Sequence, residues 1–189
     1  MKNSFKIIFI HGYTASSKAD WYPSISLKLK KLSIDFSIPD LPGRENPHAE
    51  EWLSVIHQEV NKANKPLVLV GHSLGTRAIL LYLEKYKPKV KLVLLIAAFA
   101  NRLENGERRG GDAYPDFFEY KIDISKIKSL ANKFIIMHSK DDSSISYEQG
   151  VEIFRDLNAK LITYTDRDHF SEPENAPYIL ETLRKELIF

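Results

Sequence analysis

The sequence predicts an α/β fold, a three-layer α/β/α sandwich built on a doubly wound, six-stranded parallel sheet. Short apolar segments typical of strands alternate with longer segments typical of amphipathic helices along most of the chain. Residues 90–97 are almost continuously apolar, as expected for a strand that is buried on both faces of a sheet. Right-handed crossovers between parallel strands then place helices on both sides.

The first part of the chain alternates strand and helix without interruption. The first helix carries Ile25, Leu29 and Leu32 on one face, and Pro39 closes the strand that follows it. Pro66 introduces the short apolar run of the third strand. The predicted elements are strand 5–10, helix 21–32, strand 34–38, helix 49–61, strand 67–70 and helix 76–84.

The alternation is interrupted once, at residues 99–124, which are polar and irregular. We expect this segment to form an insert that covers the functional site. The remaining predicted elements are strand 90–97, strand 133–138, helix 146–157, strand 160–164 and helix 175–187. A length of 189 residues suits a single core, so we expect residues 1–189 to form one domain.

Composition narrows the classes of function. The net charge is only +2, from 27 basic and 25 acidic residues, which gives no electrostatic reason to expect nucleic-acid binding. The absence of cysteine excludes disulfides, zinc–thiolate sites and a cysteine nucleophile. The apolar run at residues 7–10 is too short for a signal peptide, and residues 92–100 are too few to span a bilayer. We therefore expect a cytoplasmic protein without a membrane partner.

Residues 71–75 are the most informative stretch of the sequence. They spell Gly-His-Ser-Leu-Gly, which matches Gly-x-Ser-x-Gly, and they lie between a predicted strand and a predicted helix. A serine at such a sharp turn is a nucleophile elbow, and the flanking glycines leave room for the strained backbone. The alternative is an ordinary turn with a capping serine. The position between strand and helix favours Ser73 as a nucleophile.

A serine hydroxyl needs a base to accept its proton, and that base is normally a histidine held by an acid. Behind a nucleophile elbow the chain order is serine, acid, histidine. Of the six histidines, only His138 and His169 follow the serine with a strand before them. His138 ends a strand and is expected to be a half-buried structural residue. His169 lies between the last strand and the last helix, where the base belongs, although an exposed loop histidine is the alternative.

The acid is expected after the fifth strand, where Asp141 and Asp142 are neighbours. We predict Asp142, because the residues after it fit an Asp-x-x-Val/Ile turn that packs a branched side chain beneath the acid loop. Asp141 is the fallback. Asp168 is a weaker candidate, because its side chain points away from that of its neighbour His169. A cation site formed by these aspartates and Asp166 is disfavoured, since carboxylate pairs in loops are usually solvated; we expect no metal.

An oxyanion hole requires two backbone N–H groups. The amide of Leu74, the residue after the nucleophile, is one candidate. The other is expected in the loop after the first strand, where we predict the amide of Tyr13. Gly12 precedes it and allows the backbone to come close.

Aromatic residues of the insert could line an apolar acyl pocket. We predict Phe99, Phe117 and Phe118 as pocket residues, together with Tyr114 and Tyr120. An equally good alternative is that these rings anchor a long loop to the core.

These residues resemble the α/β-hydrolase superfamily. The likeness is closer to its small serine hydrolases, the group that includes the retinoblastoma-binding serine hydrolase and the bacterial YdeN-like proteins. The segments that carry the likeness are residues 11–13, 21–23, 38–42, 51–53, 71–75, 139–142 and 168–170. The resemblance implies a minimal α/β-hydrolase fold with strand order 2-1-3-4-5-6 and no cofactor. It also implies Ser73 as nucleophile, Asp142 as acid and His169 as base.

Together these features predict a carboxylesterase-like serine hydrolase that cleaves small carboxylic esters or amides through an acyl-enzyme. Its partner would be a small acyl substrate. The alternative is a protein-interaction module on a hydrolase scaffold, which would be expected to lose part of the triad. A third hypothesis keeps the triad for peroxide-dependent acyl transfer. The presence of all three candidate residues favours the hydrolase.

Overall fold

The computed structural model describes residues 4–99, 114–119 and 122–189. Its six strands form one sheet in the order β2-β1-β3-β4-β5-β6, and every neighbouring pair is parallel. The predicted fold class and strand order are therefore confirmed. The strands are β1 (Lys6–Ile10), β2 (Asp35–Ser37), β3 (Leu67–His72), β4 (Leu92–Ile96), β5 (Phe134–Ser139) and β6 (Lys160–Tyr164).

Helices cover both faces of the sheet. The α-helices of the described residues are α1 (Tyr22–Lys31), α2 (Ala49–Asn61), α3 (Leu74–Tyr86), α4 (Ile124–Ile127), α5 (Tyr147–Leu157) and α6 (Ala176–Leu187). Short 3-10 helices occur at Pro115–Phe118 and Pro173–Asn175. Among these helices, none combines the length and the apolar character needed to cross a bilayer.

Two hydrophobic clusters sit on opposite faces of the sheet, because successive side chains of a strand point to opposite sides. In β1, Ile8 and Ile10 belong to the cluster packed under α2, α3, α4 and α5, whereas Ile7 and Phe9 belong to the cluster under α1 and α6. All of these residues are fully buried. Burial on both faces explains why the central strands are continuously apolar in the sequence.

The first helix is one residue shorter at each end than predicted. Leu32 was predicted on the same helix face as Ile25 and Leu29, but it is 40% exposed, whereas those two residues are fully buried. Helix α1 ends at Lys31, so Leu32 lies past its last turn and is not held against the sheet.

The carboxyl ends of the parallel strands lie along one edge of the sheet, and the chain leaves that edge through loops that carry polar residues. Ser73 follows β3, the acid loop follows β5, and His169 lies in the loop after β6. Residues 100–113, 120 and 121 lie outside the described part of the chain, and with them most of the insert expected at residues 99–124, including Tyr120.

Candidate active site

Ser73 stands on a sharp turn between β3 and α3. Its backbone adopts φ 52° and ψ −123°, a conformation that favours glycine and is costly for a residue with a β-carbon. The turn is possible because the residues two positions before and two positions after Ser73 are both glycine. A β-carbon on Gly71 would lie 2.9 Å from the carbonyl oxygen of Gly75, and one on Gly75 would overlap the carbonyl oxygen of Ile10. The hydroxyl of Ser73 therefore lies at the start of α3.

His169 joins Ser73 to Asp142 through hydrogen bonds on opposite sides of its ring. Its Nε2 lies 2.9 Å from the Ser73 hydroxyl oxygen, and its Nδ1 lies 3.0 Å from each carboxylate oxygen of Asp142. Since a carboxylate only accepts, Nδ1 carries the ring proton and Nε2 is left to accept the serine proton. Ser73 is 1% exposed and His169 is 7% exposed. The arrangement can therefore remove a proton from the hydroxyl in a nearly water-free setting.

Asp142 is a fully buried carboxylate that is well supplied with hydrogen-bond donors. Its Oδ1 accepts from the backbone N–H groups of Ser144 at 2.9 Å and Ile145 at 2.8 Å. Burial alone would raise the pKa of Asp142. The hydrogen bonds from His138, His169 and the Ile145 amide outweigh that effect and hold the pKa of this carboxyl well below its ordinary value. Asp142 is therefore ionised at neutral pH.

The two rival aspartates have different contacts. Asp141 accepts hydrogen bonds from the Ser139 hydroxyl and, at 3.1 Å, from the backbone N–H of Asp168. Asp168 in turn accepts from the backbone N–H of Ser143 at 2.8 Å. The two side chains thus tie the loop after β5 to the loop after β6, and neither has a hydrogen bond to His169 in the described structure.

The loop after β1 comes close to Ser73, as is needed for the predicted oxyanion loop. A β-carbon on Gly12 would lie 3.1 Å from the Ser73 β-carbon, so only glycine fits comfortably there. His11 braces this loop: its Nδ1 donates to the carbonyl oxygen of Gly12 at 2.9 Å, and its Nε2 accepts from the Leu41 amide at 3.0 Å. Burial lowers the pKa of His11, which keeps this bonding pattern in place. The amides of Tyr13 and Leu74 stay the predicted oxyanion donors.

Two residues next to His169, His72 and Asp20, had no assigned role in the sequence analysis. His72 donates from Nε2 to the backbone carbonyl of His169 at 2.7 Å, and its Nδ1 lies 3.7 Å from Asp20. Burial raises the pKa of Asp20 to about 6, although the nearby His169 acts against the rise and Glu172 adds to it. His72 belongs to the recognised motif, but its contact lies 97 residues away in sequence. No local pattern signals such a contact.

His138 is fully buried, not half-buried as expected. Its Nε2 lies 3.1 Å from the carbonyl oxygen of Ile145 and 3.3 Å from Oδ2 of Asp142. The sequence offered one signal, since His138 precedes the acid by four residues on the adjoining strand end.

The predicted pocket residues are unequally placed. Phe99 and Phe117 are fully buried in the core cluster under α2 and α3, and the ring of Phe117 packs against Trp52 with centroids 5.2 Å apart. Phe118 is partly exposed and lies 4.9 Å beneath the guanidinium of Arg77. This burial favours the anchoring alternative for Phe99 and Phe117. The pocket itself stays a prediction.

Potential metal ligands do not gather within the described residues: no group of three or more histidine or acidic side chains there could hold an ion. Asp166 pairs instead with Arg167 at 2.5 Å and points to solvent. The side chains of Ser73, His169 and Asp142 are hydrogen-bonded in series, and this arrangement suits proton transfer from the serine to the histidine.

The sheet order and the strained serine at the carboxyl end of its third strand define an α/β-hydrolase. A family model described as "Serine hydrolase" matches residues 7–176. The chain belongs to this serine hydrolase family and is a hydrolase.

Relatives from bacteria and animals are similar over nearly the whole chain. The putative hydrolase YdeN of Bacillus subtilis (strain 168) is 28% identical over 171 residues, covering 89% of this chain and 87% of that protein. The serine hydrolase RBBP9 of Rattus norvegicus is 29% identical over 178 residues, covering 92% and 91%.

Solved structures of other proteins share this fold over nearly the whole chain. The crystal structure of the ydeN gene product from B. subtilis matches with a TM-score of 0.86 and 25% identity, over 97% of this chain and 99% of that one. Est1E from Butyrivibrio proteoclasticus, solved with ferulic acid bound, matches with a TM-score of 0.75 at 16% identity, covering 97% and 90%. At that identity the second match concerns the fold alone.

Proposed function

We propose that the protein hydrolyses small carboxylic esters, and amides more slowly, through an acyl-enzyme formed on Ser73. The observation that carries the proposal is the ring of His169, which lies 2.9 Å from the Ser73 hydroxyl and 3.0 Å from Asp142. These distances support the proposal, because a serine hydrolase needs its nucleophile, base and acid within hydrogen-bond reach in that order.

In the first half of the reaction, Ser73 Oγ attacks the carbonyl carbon as its proton moves to Nε2 of His169. The carbonyl oxygen becomes an oxyanion, which the amides of Tyr13 and Leu74 would hold. His169 then gives its proton to the leaving alcohol as the bond from the carbonyl carbon to that oxygen breaks. Asp142 stays ionised throughout and stabilises the imidazolium.

In the second half, a water molecule attacks the acyl-enzyme while His169 Nε2 accepts its proton. The tetrahedral intermediate collapses, the proton returns to Ser73 Oγ, and the carboxylic acid leaves. The low exposure of Ser73 and His169 supports small acyl groups as substrates. Membership of the serine hydrolase family supports hydrolysis but does not distinguish esters from amides as substrates. We propose esters as the better substrates because an alcohol is a better leaving group than an amine.

Labelling with a fluorophosphonate probe tests the proposal. We expect the wild type and the variant Ser54→Ala, which alters an exposed serine of α2, to take up the probe, whereas Ser73→Ala does not. A panel of nitrophenyl esters of increasing acyl length, with matched anilides, then measures the substrate preference. Labelling of Ser73→Ala would identify another nucleophile. A wild type that takes up no label between about pH 6 and 9 would favour the interaction module instead.

A further inference from the structure

His138 lies outside the chain of hydrogen bonds from Ser73 to Asp142, yet it touches the end of that chain. It is the residue before the last in β5, and its ring is fully buried. Its Nε2 faces two groups that can only accept, the carbonyl oxygen of Ile145 at 3.1 Å and Oδ2 of Asp142 at 3.3 Å. The proton of the ring is therefore on Nε2, where the two oxygens share it.

The two oxygens of Asp142 are held differently. Oδ1 accepts from the backbone amides of Ser144 and Ile145. Oδ2 has only ring nitrogens near it within the described structure: Nδ1 of His169 at 3.0 Å and Nε2 of His138 at 3.3 Å. His138 is thus the donor that holds Oδ2 independently of the catalytic base.

The other side of the His138 ring is closed by α5. A β-carbon on Gly150 would overlap Nδ1, and the ring of Tyr147 packs edge-on with centroids 5.8 Å apart. Nδ1 is buried and has no hydrogen-bond partner among the described residues. A second proton there would be a buried donor without an acceptor, so His138 faces Asp142 as a neutral donor.

We propose that His138 is a positioning residue of the active site, which fixes Oδ2 of Asp142 and disperses part of the negative charge that Asp142 directs at His169. The proposal rests on the proposed function, because it assigns His138 a role through the acid and base of that reaction. The depressed pKa of Asp142 agrees with it, since among the groups that lower this pKa the hydrogen bond from His138 comes first.

Removing the His138 donor should shift the pH dependence of the reaction in a definite direction. Without it, the charge of Asp142 is concentrated on the side of His169 and stabilises the imidazolium, so the free base forms only at higher pH. Other groups that face His169 are unchanged by the substitution: His72 and Asp20 lie on one side, with Glu172 near Asp20. Asp141 and Asp168 are engaged with loop backbone.

Two substitutions of His138 separate positioning from packing. His138→Phe keeps an aromatic ring at this position but has no donor, whereas His138→Gln places an amide N–H near the position of Nε2. For the Phe variant we expect kcat to fall about tenfold with little change in KM, because the carboxylate is less well aligned. We also expect the rising limb of the pH profile of kcat/KM to move up by roughly half a pH unit. The Gln variant should recover most of the wild-type kcat and most of the wild-type pH profile. A Phe variant with the kcat and pH profile of the wild type overturns the proposal.

A third variant tests the role of His138 if the Phe variant does not fold, and a second measurement tests it if the protein is not a hydrolase of this type. If His138→Phe does not fold, Gly150→Ala displaces the imidazole from behind, and its exposed neighbour variant Glu148→Ala is the control. We expect Gly150→Ala to move the pH profile of kcat/KM upward and Glu148→Ala to leave it unchanged. An unchanged profile in Gly150→Ala overturns the proposal.

If the wild type takes up no fluorophosphonate, the proposed function fails. The titration of His169 followed by ¹⁵N NMR of its ring nitrogens still tests His138: an unchanged midpoint in the variant that folds overturns its role.

Discussion

The ring of His72 donates a hydrogen bond to the backbone carbonyl of His169, with Nε2 and the oxygen 2.7 Å apart. The residue before the proposed nucleophile therefore holds the residue that we propose as its base. Because His72 is fixed by β3, this bond ties the loop after β6 to the rigid centre of the sheet. Such support matters for a base that must stay within hydrogen-bond reach of Ser73.

This contact predicts the effect of replacing His72. His72→Phe removes the donor and leaves the carbonyl of a buried residue unsatisfied, which should lower the free energy of unfolding by about 1–3 kcal/mol. The loosened loop should also reduce kcat about tenfold. His72→Gln, which can place an N–H near the same oxygen, is the control. Urea unfolding and ester hydrolysis measure the two effects, and a Phe variant as stable and active as the Gln variant would contradict the role.

The strained backbone of Ser73 predicts a gain in stability on loss of function. At φ 52° and ψ −123° glycine pays no steric penalty, so Ser73→Gly should be more stable than Ser73→Ala by about 1 kcal/mol, although both are inactive. The same pair at Ser54, inside helix α2, should show the opposite order by about 1 kcal/mol. Urea unfolding of the four variants checks both orders. A Ser73→Gly variant less stable than Ser73→Ala would mean that the turn is not strained.

The neighbouring aspartates should differ sharply in their effect on catalysis. Asp142→Asn replaces the carboxylate that accepts the hydrogen bond from Nδ1 of His169, and kcat should fall by a factor on the order of 10⁴. Asp141→Asn alters a carboxylate that only braces two loops, so its loss in kcat should be about tenfold at most. Steady-state kinetics of the two variants with one ester decides between them. Equal losses would show that the acid has been misassigned.

How much the sequence could predict depended on whether a feature is local. Continuous apolar runs were enough to predict β3 and β4, and the alternation with helices gave the parallel sheet. The end of β3 was placed at Val70, but the strand continues to His72, because Gly71 and His72 pair with Leu95 and Ile96 of β4. These two residues carry no apolar signal. Helix α4 has four residues, too few for a periodic pattern.

The candidate site divides in the same way. The motif around Ser73 and the loop position of His169 are local features, and they were enough to nominate both residues. The choice between Asp141 and Asp142 depends on which way adjacent side chains point, which sequence does not encode directly. The contact of His72 with His169 joins residues 97 positions apart, and no local pattern in the sequence predicts it. His138 lies only four residues before Asp142, but the direction of its ring is set by packing against α5 and was visible only in the structure.

The raised pKa of Asp20 predicts a pH-dependent effect on stability. Its folded-state pKa is about 6, above the ordinary value of 3.8, so the native state binds more protons than the unfolded state between about pH 4 and 6. The stability contributed by protonated Asp20 is therefore present below about pH 4 and is lost as the pH rises through 6. Asp20→Asn cannot ionise and should escape this loss.

The expected gain can be measured against a matched surface carboxylate. Because the side chain of Asp20 is 20% exposed and keeps contact with water, we reduce the full linkage value and expect Asp20→Asn to gain about 1 kcal/mol over the wild type between pH 4 and 8. Asp156→Asn, on the exposed side of α5, should show little pH-dependent difference. Urea unfolding at the two pH values gives both comparisons. A gain that is larger at pH 4 than at pH 8 would mean that the carboxylate is stabilised in its ionised form, through its 3.7 Å contact with a protonated His72.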